Sequence, residues 1–271
     1  MKSIYRRPPC GRSQAKSHHF PRLGRTSNLI CTVCVPDYEF VQISQSNERT
    51  MTADFASSFT LRTDDELRAG FLGDTLIPRL LHLIWVGPNP EPDTFAPHVA
   101  KWKELMPDWT VRVWCNADIN EDEFPAEAVT IINSAAKGAQ KADIMRYFII
   151  RKHGGVYMDA DVVPHRALGP CLAASTLVLC HDLELTWPYI SIGFMAAVPD
   201  HPVFRTACDL CLVAKLNTPD VHMHTGPRVL GEAVNRTRGK AGEYSLLPIS
   251  AFYRNHNFPG RFGTHTYAKM W

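Results

Sequence analysis

From position 76 onward, apolar and polar residues follow two rhythms. Short continuous apolar runs, such as "LLHLIWV" (80–86), predict strands covered on both faces. Longer stretches carry helical spacing. "FAPHVAKWKELMP" (95–107) is one, stopped by Pro107; residues 125–136 are another, with Pro125 suited to a first turn. "KGAQKADIMRYFIIRKH" (137–153) is a third, which Gly154 and Gly155 should end in the C-cap role. Further strands are expected at "TVRVWC" (110–115), "VYMDADVV" (156–163), "STLVLC" (175–180), "IGFMAAV" (192–198) and "YSLLPI" (244–249). Further helices are expected at "HPVFRTACDLCLVAKLN" (201–217) and "GPRVLGEAVN" (226–235). Strands alternating with helices predict an α/β fold with a mostly parallel central sheet and helices on both faces.

The first 50 residues look different. They are basic, rich in Pro, Ser and Gly, and show no apolar period, so they are expected to be a disordered extension. It would serve for targeting or for binding an acidic surface; alternatively, translation begins at Met51. Residues 51–75 are expected as a lead-in and 76–271 as the folded domain.

Charge sharpens that division. Residues 1–36 hold seven Lys/Arg and no acid, leaving 22 basic and 27 acidic residues in 37–271, a balance of −5. A mildly acidic folded part argues against a nucleic-acid partner. No apolar run approaches the roughly 18 residues of a transmembrane helix, and no secretory leader is visible. Two Cys-x-x-Cys pairs, Cys31/Cys34 and Cys208/Cys211, are too far apart in sequence to suggest one zinc site; the second pair sits in a helical apolar pattern that suits reduced core thiols.

The chemistry concentrates in "GGVYMDADVV" (154–163). On a strand, Tyr157, Asp159 and Asp161 would share one face. Burying two unpaired carboxylates together is unfavourable by several kcal/mol, so the strand is expected to end here, at the carboxyl edge where open α/β sheets bind ligands. Two carboxylates at that edge suit a hard divalent cation; they would equally cap a turn or pair with Arg166. Asp143 and Arg146, three apart on the preceding helix, would share a face, as a surface ion pair or as part of the same site.

Taken together, "IPRLLHLIWVGPNP", "WKELMPDWTVRVWCNADI", "KADIMRYFIIRKHGGVYMDADVVP", "ISIGFMAAVPDHPVF", "HTGPRVL" and "THTYAKMW" resemble, in order, glycosyltransferase family 32, the sugar-binding region with a DXD motif. More distantly they are similar to the catalytic domains of the clostridial glucosylating toxins. The resemblance implies a GT-A-like nucleotide-sugar-binding fold. It implies a UDP- or GDP-sugar donor, a glycan, lipid or protein acceptor, and Mn²⁺ or Mg²⁺ on the donor diphosphate. Transfer would proceed with retention.

By the same resemblance, Asp161 ligates the metal, and Asp159 contacts the donor and reaches the metal through water. Asp143 and Arg146 hold the donor sugar's hydroxyls, with Arg146 able to assist at the phosphates, and Tyr157 lines the pocket. Trp85 stacks on the base, or is a core aromatic. His265 is a further metal ligand, or a loop histidine. Trp271 reaches the leaving phosphate, or frays at the chain end. Asp182 is a candidate acceptor-side group. Ile192–Gly193 and Met270–Trp271 depart from the family's Asn-Gly and Ser-Trp. Rival readings are a metal-dependent nucleotide-diphosphate hydrolase and a non-catalytic sugar-nucleotide-binding protein. The expected location is cytoplasmic or peripheral to a membrane, with the Golgi as the resemblance's alternative.

Overall fold

The computed structural model describes residues 59–69, 75–172, 175–181, 190–216, 224–237, 244–253 and 258–268. All of them lie in one unit, Ser44–Trp271. The basic extension, with Cys31 and Cys34, lies outside the described residues, as do Asp182, Met270 and Trp271.

A seven-stranded sheet is built from β1 (Thr60–Leu61), β2 (Leu80–Ile84), β3 (Thr110–Trp114), β4 (Gly155–Met158), β6 (Leu177–His181), β7 (Ile190–Ala197) and β8 (Tyr244–Leu247). Its order is β1-β8-β6-β7-β4-β2-β3. β7 is antiparallel to both its neighbours, β4 and β6; the other pairings are parallel. The mostly parallel sheet is thus as expected, with one reversed strand inside it. A separate antiparallel pair joins β5 (Val162–Pro164) to β9 (Gly263–His265).

Alternation along the strands separates two apolar layers. Tyr157, Met195, Ala197, Leu177 and Leu179 face α3 (Ala126–Ser134), α4 (Gly138–His153), α5 (Pro202–Leu212) and α6 (Pro227–Arg236). Val156, Met158, Phe194, Ala196 and Val178 face the layer holding α1 (Asp64–Ala69), α2 (Phe95–Leu105) and the aromatics Phe252 and Phe262. The helix α1 lies within the expected lead-in. Its start is a reciprocal cap, Glu66 N–H to Thr63 Oγ1 at 3.2 Å and Thr63 N–H to Glu66 Oε2 at 2.7 Å.

The α4–β4 junction needs both its glycines. Gly154 (φ 63°) caps α4 and Gly155 (φ 85°) opens β4, conformations that side-chain-bearing residues avoid. A Cβ on Gly154 would lie 2.6 Å from Pro199, and one on Gly155 2.6 Å from the Leu80 carbonyl. Beneath them His82 is buried: Trp114 Nε1–H donates to its Nδ1 (3.2 Å), and its Nε2 bonds the Gly154 carbonyl (3.0 Å). Burial holds this imidazole neutral, lowering its pKa to about 4. The Cys208 and Cys211 thiols are also buried, on α5, and burial pushes Cys208 up to about 12.

Candidate active site

The expected strand 156–163 is two strands. β4 ends at Met158, and the chain turns through Asp159, Ala160 and Asp161 before β5 begins at Val162. The aspartates therefore occupy a turn and do not share one strand face. Two carboxylates near the ends of buried strands would otherwise sit in an apolar layer, and the turn lifts them out of it. The turn is tied on each side: Asp159 N–H donates to the Gly193 carbonyl (2.9 Å), Val162 N–H to the Asp159 carbonyl (3.2 Å). His98 of α2, for which no local pattern signals a role, sets its Nδ1 3.2 Å from the Ala160 carbonyl.

Asp159 is anchored from the α4 layer. Its Oδ1 accepts from the Tyr157 hydroxyl at 2.6 Å and from Arg146 Nη1 at 3.3 Å. Arg146 also donates Nη1–H to the Ile192 carbonyl (2.9 Å) and Nε–H to the Ala142 carbonyl (3.2 Å), and pairs through Nη2 with Asp143 Oδ1 (2.7 Å). Asp143 Oδ2 accepts from the Thr225 hydroxyl at 3.1 Å. The Arg146 and Asp143 side chains are only 5% and 8% exposed, because α4 is buried on nearly every side. They are thus not a surface ion pair; they form a bracket behind Asp159. Burial opposes the Arg146 charge, but Tyr157, Asp143 and Asp159 outweigh it and raise the pKa. Burial also opposes ionisation of Asp159, and Arg146, His265 and Tyr157 together hold that carboxyl below the usual range.

Asp161 is anchored from the other direction. Its Oδ2 accepts from the Ala268 N–H (3.0 Å) and the Thr266 hydroxyl (3.3 Å), and its carbonyl accepts from Thr266 N–H (3.2 Å). β9 brings these groups in by pairing His265 with Val162.

Each aspartate then has one oxygen left facing His265. Nε2 lies 3.2 Å from Asp159 Oδ2 and 3.4 Å from Asp161 Oδ1. One ligand atom from each of the three residues falls within 4.8 Å of the others. Two carboxylate oxygens and an imidazole nitrogen are a fitting donor set for a divalent cation of the Mn²⁺ type. The ring's other nitrogen qualifies the third ligand. Nδ1 accepts the Tyr267 N–H at 3.1 Å, which assigns the proton of a neutral ring to Nε2. Ligation through Nε2 requires the opposite tautomer and release of that amide.

Gly193 keeps this space open. A Cβ there would lie 2.9 Å from Asp159 Oδ2 and 3.1 Å from the His265 ring. Position 192 contributes its carbonyl, which takes Arg146, while the Ile192 side chain packs on the core. Trp85 does not offer a stacking face. It is 5% exposed, its indole N–H donates to the Asn89 carbonyl (3.1 Å) and its ring packs 5.9 Å from Phe95. The core alternative describes Trp85. Cavities of about 480 Å³ beside Phe148 and Lys152 and about 590 Å³ beside Ile131 and Leu212 include none of these site residues.

Residues 92–178, which contain Asp143, Arg146, Asp159 and Asp161, match the family described as the glycosyltransferase sugar-binding region containing DXD motif. The chain is 28% identical over 190 residues to inositol phosphoceramide mannosyltransferase 1 of Schizosaccharomyces pombe, covering 66% of this chain and 57% of that protein. It is 24% identical over 163 residues to an uncharacterised glycosyltransferase of Acanthamoeba polyphaga mimivirus, covering 59% of this chain and 65% of that one. The chain thus spans less than two thirds of either relative's length. A solved structure, the PaToxG glycosyltransferase, superposes with a TM-score of 0.49 at 15% identity over 70% of this chain and 77% of its own.

Proposed function

We propose that this chain, which carries the DXD-containing sugar-binding region of glycosyltransferases, is a divalent-metal-dependent glycosyltransferase with its catalytic domain in 76–271. It would move a sugar from a nucleoside-diphosphate donor to an acceptor hydroxyl, with retention. The observation that carries this reading is the convergence of Asp159 Oδ2 and Asp161 Oδ1 on one imidazole nitrogen at the carboxyl end of β4.

Asp161 Oδ1 and Asp159 Oδ2 are the groups that would hold Mn²⁺ or Mg²⁺, with His265 as third ligand. The bound cation supplies Lewis-acid neutralisation of charge on the departing diphosphate. Arg146 and Tyr157 fix the Asp159 carboxylate, so that a single oxygen faces the donor side. Asp143, with its oxygens on Arg146 and Thr225, orients that arginine.

UDP- and GDP-sugars are the donor class. The name of the Schizosaccharomyces pombe relative favours a mannosyl group and an inositol phosphoceramide acceptor. A lipid acceptor would bring the enzyme to a membrane surface, although no described helix is long and apolar enough to cross one.

A panel of UDP- and GDP-sugars incubated with Mn²⁺ or Mg²⁺ tests the reading. Release of nucleoside diphosphate with free or transferred sugar, abolished by EDTA, is expected. Nucleoside monophosphate and sugar phosphate as products would make the chain a hydrolase. Donor binding without turnover would make it a binding protein.

A further inference from the structure

The segment after β9 does more than end the sheet pair. Thr266 donates its backbone N–H to the Asp161 carbonyl at 3.2 Å. Its hydroxyl proton is shared between that carbonyl at 3.0 Å and Asp161 Oδ2 at 3.3 Å. Ala268 adds its N–H to the same Oδ2 at 3.0 Å. Donors from the tail therefore meet at Oδ2, and His265 Nε2 approaches Oδ1 at 3.4 Å.

A carboxylate has two equivalent oxygens, and nothing intrinsic to the side chain selects which one faces a cation. Here the selection is made more than 100 residues away in sequence, by the separation of 105 between Asp161 and Thr266. Asp159 has the same arrangement with different partners: Arg146 and Tyr157 take its Oδ1, leaving Oδ2. A ligand whose spare oxygen is occupied binds a metal from a preset orientation, and outer partners of this kind set affinity.

We infer that Thr266 is a positioning residue for metal binding: its side-chain hydroxyl, with the Ala268 amide, holds Asp161 Oδ2 so that Oδ1 is presented to the cation. This rests on the reading of the DXD turn as a metal site. Thr266 is exposed, so its hydroxyl can be removed without opening the core. Thr266→Val keeps the shape and the backbone N–H. Thr266→Ala removes the hydroxyl by a second route. Thr266→Ser retains the hydroxyl alone.

The test is titration of the full chain with Mn²⁺ alone, following free ion by electron paramagnetic resonance, alongside the thermal midpoint of each variant. Wild type is expected to bind. Thr266→Val and Thr266→Ala should bind roughly tenfold more weakly, with thermal midpoints unchanged, and Thr266→Ser should return to the wild-type affinity. Wild-type affinity in the Val and Ala variants would overturn the positioning role and leave the metal site standing. Equal weakening in Thr266→Ser would also overturn it, since the hydroxyl would then not be the group responsible. No Mn²⁺ binding by the wild-type chain would overturn both the inference and the site reading beneath it.

Discussion

Asp159 and Asp161 are two residues apart and are held mainly by different parts of the chain. Asp159 is fixed from within, by an arginine that is 5% exposed and a buried tyrosine. Asp161 is fixed from the surface, by exposed residues of the tail. The contrast separates two jobs. The inner bracket is bound up with the stability of the fold, because removing its arginine leaves two carboxylates without their shared cation. The outer clasp can be loosened at little cost to the fold, so its contribution falls on ligand geometry.

The strongest way to break that contrast is Arg146→Met. It leaves Asp143 and Asp159 without their shared cation, and loss of one partner from a buried ionic cluster costs about 3–5 kcal/mol. Urea unfolding should show a loss of that order; a change below about 1 kcal/mol would mean the bracket is not structural. Tyr157→Phe comes next. It deletes a 2.6 Å hydrogen bond to a carboxylate, and about 1.5–3 kcal/mol should disappear from the same measurement.

Gly193→Ala probes the space between the two supports. Its Cβ would stand 2.9 Å from Asp159 Oδ2, and overpacking of this kind costs about 1–3 kcal/mol. Mn²⁺ affinity should fall with it, and unaltered affinity would remove Oδ2 from the ligand set. The smallest stability effect belongs to Thr266→Val, within about 0.5 kcal/mol of wild type, as for an exposed position. A loss as large as that of Tyr157→Phe would erase the distinction between inner bracket and outer clasp.

Local sequence signals account for much of the site. The Gly154–Gly155 pair, the end of a strand at the aspartates, and the Asp143/Arg146 spacing are all short-range patterns, and each corresponds to a feature of the structure. What the spacing of Asp143 and Arg146 could not say is where they point. Three residues apart on a helix describes a surface pair and an inward bracket equally well, and only the burial of α4 on nearly all sides decides. Trp85 follows the same logic: an aromatic after a buried strand is either a platform or core, and Phe95, brought in by α2, covers it.

The clasp on Asp161 was not legible, because it depends on the pairing of β5 with β9 across about 100 residues and on main-chain amides that carry no sequence signature. The local pattern at 192–193 points to Ile192, whose carbonyl takes Arg146, and not to Gly193, whose missing Cβ leaves room beside Asp159. By contrast, the Thr63-x-x-Glu66 capping box that starts α1 was a readable signal inside a stretch expected only to lead in.

The central claim is that Asp161 holds the cation through which the donor is used. Its most direct test is turnover of the best UDP- or GDP-sugar against Mn²⁺ concentration, for wild type and Asp161→Ala, with circular dichroism showing both folded. Saturable Mn²⁺ dependence in the wild type and turnover at background in the variant is the predicted result. Wild-type turnover in Asp161→Ala, with the same Mn²⁺ dependence, would contradict the account.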